Sequence, residues 1–237
     1  MNAHQGDSYS TLRGERRRMV AAVVFDMDGV IVDTEQYWVE EEAAILDEAL
    51  PADHDVDPHD ITGINVHEQY EMLSGEYEMQ VDREEYFDLF DAKAESVYAR
   101  ADLLEGFHDL LDALDERDLP LGVCTSSYPR WIEIVFESND LQDRFDAVLS
   151  AAEEPVPGKP EPDLYERVAD ELGVEPEEML VVEDSANGVA AAAAAGAYTI
   201  AYAANAHDGI DHSPADEVID SAERLRERVL ALVDGAE

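Results

Sequence analysis

MVAAVVFDMDG, residues 19–29, is the stretch on which the fold turns. From Met19 to Phe25 the chain is apolar and rich in valine, and it breaks off sharply at Asp26. A short β-branched run bounded this way reads as a buried strand feeding a loop. Downstream the pattern becomes helical, from about Thr34 to Leu50, with Thr34 placed to cap the helix and Glu35 in its first turn. PADHDVDPHD (51–60) is a turn-rich connector, and 61–75 and 82–100 read as two further amphipathic helices. No strand is expected between 34 and 100.

From 106 onward the rhythm alternates. Helices are expected over 106–117, 129–139, 161–172, 185–195 and 221–233. Strands are expected at LPLGVC (119–124), FDAVLS (145–150), MLVVE (179–183) and AYTIAYA (197–203). Strands alternating with helices of about ten residues predict a parallel sheet covered on both faces. The run VAAAAAAGA (189–197) looks low in complexity, but an alanine-rich helix packs closely on a sheet. The fold class is therefore α/β, a doubly wound parallel sheet interrupted after its first strand by an all-helical insert. The expected organisation is a core of 19–35 and 101–237, a helical cap of 36–100, and a polar leader of 1–18 read as disordered. Met19 is a candidate start.

Composition narrows the function. Hydrophobic residues make up 46% of the 237, enough for a sizeable core. Against 58 acidic residues stand 15 basic ones, a formal net charge of −43, which leaves no positive footprint for nucleic acid. The acids are dispersed and only Lys93 and Lys159 are lysines, which resembles proteins of salt-accumulating halophiles. Cys124 is the single cysteine, so no internal disulfide exists, and a reducing cytoplasm is the expected setting. No apolar run approaches the roughly 20 residues of a membrane span. A monomer or a weak homo-oligomer is expected.

Ligands of doubly wound sheets bind beyond the carboxyl ends of the strands, and four expected strand ends carry suitable groups. Asp26-Met27-Asp28-Gly29 brings two carboxylates to the first, although a lone pair so spaced also occurs in ordinary loops. Thr125-Ser126-Ser127 offers hydroxyls and N–H groups before a helix, where phosphate oxygens bind readily; Ser127 as a plain helix cap is the other reading. In Gly158-Lys159-Pro160-Glu161-Pro162-Asp163 a lysine framed by prolines can neutralise a phosphate and a carboxylate together, or simply lie on the surface. Glu183-Asp184 follows the fourth strand, where two acids suit a hard cation such as Mg²⁺ or Asp184 caps the next helix.

FDMDGVIVDTE (25–35), TSS (125–127), GKPEPD (158–163) and VVEDSANGVAAAAAAGA (181–197) resemble, in order, the four motifs of haloacid dehalogenase-like hydrolases. The helical insert resembles that of the branch containing β-phosphoglucomutase and phosphoglycolate phosphatase-like enzymes. The resemblance implies a Rossmann-like core with a mobile cap and a Mg²⁺-dependent phosphatase acting on a small phosphorylated metabolite, a sugar phosphate or a phosphoglycolate-like compound. It implies Asp26 as nucleophile and Asp28 as general acid and base. It further implies Thr125, Ser126 and Lys159 around the phosphoryl group, and Asp26, the Asp28 carbonyl and Asp184 on Mg²⁺ with Glu183 assisting.

Within the family, Asp28 disfavours dehalogenation, since only an alcohol leaving group needs its proton. Phosphonate hydrolysis needs a cap lysine, and Lys93 falls late in the last cap helix. A phosphomutase is the main alternative, but Trp38 stands where a mutase has histidine, and Thr62 and Val66 stand at basic positions around Gly63. Gln36 to Leu73 holds no lysine or arginine. Asn65 and His67, with Gln69 nearby, are the cap groups expected to touch substrate. A non-catalytic phosphometabolite-binding regulator is the second alternative, which the intact Asp26 and Asp28 oppose.

Overall fold

The computed structural model describes residues 19–61, 64–204 and 210–235. The expected leader, and Thr62 and Gly63 of the mutase comparison, lie outside the described residues. The first strand, β1 (Ala22–Phe25), is wholly buried and runs down the middle of the sheet. The insert follows β2 (Val32–Asp33) and holds α1 (Glu35–Ala49), α2 (Val66–Glu76) and α3 (Arg83–Tyr98) before returning on β3 (Asp102–Leu103). The core then continues through α4 (Phe107–Asp115), β4 (Leu121–Thr125), α5 (Pro129–Ser138), β5 (Ala147–Ser150), α6 (Asp163–Leu172), β6 (Met179–Glu183), α7 (Ala186–Ala195), β7 (Tyr198–Tyr202), β8 (Glu217–Ile219) and α8 (Ala222–Val233).

Six strands form one sheet in the order β5-β4-β1-β6-β7-β8, every neighbouring pair parallel. The alternation along β1 sorts the core into two layers. Ala22 and Val24 face α6 and α7, among Leu164, Tyr165, Val168 and Ala192. Val23 and Phe25 face the other side, among Phe107, Leu110, Val135 and Leu225. Alanines along α7 bury against this sheet as the composition suggests, with Ala191, Ala192 and Ala195 inside.

Two features escape a reading of the sequence. The strands β2 and β3 pair antiparallel, Val32 opposite Leu103 and Asp33 opposite Asp102, at the root of the cap. Two residues each is too short to show a period. The edge strand β8 is likewise only three residues long. The cap itself is held by aromatic packing. Trp38 of α1 meets Phe90 and Tyr98 of α3 at ring-centroid distances of 5.7 and 5.9 Å, and reaches Trp131 of core helix α5 at 5.2 Å. Asp91 of α3 accepts from Arg130 and from Trp131 Nε1, tying cap to core.

The acid excess predicts a response to salt. Self-repulsion of like charges opposes compaction in dilute buffer, and screening relieves it. The melting temperature is expected to rise between about 0.1 M and about 2 M KCl; a flat or falling curve would separate this acidity from salt adaptation.

Candidate active site

Asp26 ends β1, and its N–H still donates to Val182 O at 2.9 Å in the sheet. Beyond it the chain leaves β geometry. Met27 is buried, Ile31 N donates back to Met27 O, and Gly29 takes φ +83°, a left-handed conformation that suits glycine. A Cβ at Gly29 would overlap the Asp184 carboxylate, so the glycine also lets the first and fourth strand ends approach. Asp26 and Asp28 thereby open into one cavity of about 460 Å³ between core and cap, with Thr125, Ser126, Ser127, Lys159 and Asp184 on its core side.

Lys159 binds the core side together. Its ammonium lies 2.5 Å from Asp26 Oδ1, 2.5 Å from Glu183 Oε1 and 3.1 Å from the Cys124 carbonyl. The lysine reached by a proline-framed loop is thus buried between two carboxylates, not on the surface. Burial alone would lower its pKa; the charges of Asp26 and then Glu183 prevail and push it up, so it stays cationic. Burial, opposed by Lys159, pushes the Asp26 carboxyl up.

Asp26, Glu183 and Asp184 offer carboxylate oxygens within 4.8 Å of one another, a hard-oxygen set able to hold a divalent cation. Within it, Glu183 is fully buried and strongly committed. Its Oε1 accepts from Lys159 and, at 2.7 Å, from Tyr165, and its Oε2 accepts from Asp184 N and Ser185. Ser185, not Asp184, caps α7, accepting from Gly188 N at 3.0 Å.

Asp28 is held by hydroxyls from both sides of the cap junction. Thr34 donates to its Oδ1 at 2.8 Å and Ser127 to its Oδ2 at 2.6 Å, with Tyr98 OH 3.5 Å from Oδ2 and 3.2 Å from Ser127 Oγ. Burial raises the Asp28 pKa, and these hydroxyls pull against it. Two expected helix caps are therefore otherwise employed. Thr34 and Ser127 turn their side chains to Asp28, and neither α1 nor α5 has a side-chain cap. The contacts of Tyr98 had no signal in the sequence, because its partner lies 70 residues away.

The cap residues divide. Asn65 lines the cavity, but its Nδ2 donates to Ser126 O at 3.2 Å and its Oδ1 caps α2 by accepting from His67 N. His67 is absent from the cavity wall. Its ring packs on Phe87 and Tyr128, and burial, then Arg83, lowers its pKa. Gln69 lines the cavity with its amide committed to the Ile61 and Ile64 carbonyls and the Tyr86 hydroxyl.

A parallel sheet thus presents two acids just beyond β1, with a buried lysine across from Asp26 and a helical cap above. A sequence model described as haloacid dehalogenase-like hydrolase matches residues 20–196, and the chain belongs to that family. It is 30% identical over 194 residues to hexitol phosphatase B of Escherichia coli, covering 75% of this chain and 81% of that protein. It is 31% identical over 179 residues to the phosphorylated carbohydrates phosphatase of Thermotoga maritima, covering 74% and 81%. A β-phosphoglucomutase from Clostridium difficile shares the fold with a TM-score of 0.74 at 22% identity, over 91% of this chain and 97% of that one. Among the described residues no helix is long and apolar enough to cross a membrane.

Proposed function

We propose that this chain is a Mg²⁺-dependent phosphatase that hydrolyses a small phosphorylated metabolite through an aspartyl-phosphate on Asp26. The observation that carries the reading is the buried Lys159 held between Asp26 and Glu183, with Asp184 beside them and Asp28 opening into the same cavity. Relatives named as phosphatases of hexitol and carbohydrate phosphates support it. In this reading residues 36–100 are the cap and 19–35 with 101–237 the core.

Asp26 attacks phosphorus while the ester oxygen leaves with a proton from Asp28. Water then attacks the aspartyl-phosphate, Asp28 takes its proton, and inorganic phosphate departs with Asp26 restored. Lys159, Thr125 and the Ser126 backbone bind the transferring oxygens. Asp26, the Asp28 carbonyl and Asp184 would hold Mg²⁺, with Glu183 anchoring Lys159 alongside; the ion would supply charge that offsets the repulsion between carboxylate and phosphate. Hydrolysis is favoured over phosphomutation because the cap cations are engaged elsewhere. Lys93 pairs with Glu41 at 2.8 Å, Arg83 with Glu71 and Arg100 with Glu40 and Glu41, and none of them lines the cavity.

The test is phosphate release from p-nitrophenyl phosphate with Mg²⁺, abolished by chelation and restored by the metal. With β-glucose 1-phosphate and a trace of the 1,6-bisphosphate, inorganic phosphate should appear faster than glucose 6-phosphate; the reverse order would make the enzyme a mutase.

A pH profile checks the role of Asp28. The general acid must be protonated, so the alkaline limb of kcat/KM falls as Asp28 loses its proton. Ser127 donates to the anion and so lowers that pKa. Ser127→Ala should therefore move the limb to higher pH, by roughly one unit. An unmoved limb would take Asp28 out of that role.

A further inference from the structure

The segment just before the edge strand β8 comes back to the site. It is fastened to β7 by Asp216, whose N–H donates to Thr199 O and whose carboxylate accepts from Thr199 N, both at 2.9 Å. Ahead of that anchor, Ile210 and Asp211 reach the cavity wall that Asp184, Ser185 and Asn187 also line. Next to them the half-buried His212 sets its Nε2 2.6 Å from the Asp184 carbonyl oxygen, across 28 residues of sequence. A carbonyl only accepts, so that ring nitrogen carries a proton and donates.

The bond falls on a residue whose N–H is already fixed. Asp184 stands between the end of β6 and the Ser185 cap of α7. The N–H groups of Asp184 and Ser185 both donate to Glu183 Oε2, at 3.1 and 3.4 Å. The helix ladder begins one residue later, with Val189 N on Ser185 O at 2.9 Å, so the Asp184 carbonyl lies ahead of it. The Asp184 carboxylate meanwhile sits over the Gly29 turn, where a Cβ would come within 1.8 Å of its Oδ2. Releasing the carbonyl would let this backbone tilt, and the side chain would swing with it. Mg²⁺ tolerates such a swing poorly, because it demands near-ideal octahedral geometry at about 2.0–2.1 Å. Partners that orient a metal ligand are commonly worth about 10–100-fold in affinity.

We propose that His212 is a positioning residue of the cation site. Its Nε2–H holds the Asp184 backbone and so keeps the Asp184 carboxylate in the set it forms with Asp26 and Glu183. The proposal rests on the phosphatase reading and adds to it a residue that lies outside the four motifs.

The experiment titrates MgCl₂ alone into the full-length chain by calorimetry. Molar KCl screens the surface acids, and Asp184→Asn serves as the blank. His212→Ala should weaken Mg²⁺ binding roughly tenfold, while its melting temperature without metal stays within a few degrees of wild type. His212→Gln, whose amide N–H can reach the same carbonyl, should bring the affinity back to within about threefold of wild type. Unchanged affinity in His212→Ala would overturn the proposal and leave His212 as a fastening of its own loop. Equal losses in the alanine and glutamine variants would overturn it too, since the donor would then not be what matters. If the alanine variant does not fold, His212→Asn takes its place, its shorter amide falling short of the carbonyl. Wild type taking up no more Mg²⁺ than Asp184→Asn would overturn the proposal together with the metal site of the phosphatase reading.

Discussion

Asp26→Asn is expected to lower phosphate release by roughly 10³-fold or more while leaving the fold intact. The amide cannot attack phosphorus, and no neighbouring group is placed to replace it. Asp28 is turned into the hydroxyls of Thr34 and Ser127, and Glu183 is bound by Lys159 and Tyr165. The fold should survive because Lys159 keeps Glu183 and the Cys124 carbonyl as partners, and the Asn oxygen can still accept. Burial already works against the charged form of Asp26, so the neutral replacement suits the site. The melting temperature should stay within a few degrees of wild type. A purified variant retaining about a tenth of the wild-type rate would eliminate the covalent mechanism.

Lys159→Met should lower stability strongly. The Lys159 side chain is 5% exposed and neutralises Asp26 and Glu183, whose side chains are 9% and 0% exposed. Removing it leaves two carboxyls enclosed side by side, and breaking a buried pair in this way costs about 3–5 kcal/mol. The loss should depend on pH, with a definite sign. Burial and the neighbouring Glu183 charge already raise the Asp26 pKa, and without Lys159 nothing opposes them. Stability is then retained at low pH, where Asp26 is protonated, and lost as pH rises through that raised value. Thermal melts of the variant should therefore approach wild type near about pH 4 and fall away toward about pH 8. A pH-independent difference would mean that packing of the lysine stem matters more than its charge. Turnover should be lost at every pH, since the phosphoryl oxygens lose their cation as well.

The two substitutions bear on different parts of the sequence reading. That Asp26 closes a buried strand follows from the valine-rich run before it and the acid after it, a pattern confined to a few neighbouring residues. The alternation of helix and strand after 106 has the same local origin, because burial on both faces of a sheet writes itself into each strand as a continuous apolar run. The shortage of cap cations could also be read directly from the residues between Gln36 and Leu73. So could the placement of small hydroxyls, lysine and acids at successive strand ends.

The partners within the site came only with tertiary structure. Ser127 reaches Asp28 across 99 residues of sequence and Lys159 reaches Asp26 across 133. Thr34 and Ser127 looked like helix caps, since hydroxyls before a helix commonly are; packing of the cap onto α5 turned both toward Asp28. Asn65 and His67 stand two positions apart on one helix end, and only the fold puts one over the Ser126 carbonyl and the other between Phe87 and Tyr128. Periodicity and capping rules act over a turn or a strand, so they locate elements and their ends. Which side chains meet between elements depends on how those elements pack, and a hydrogen bond spanning a hundred residues leaves no local pattern to read.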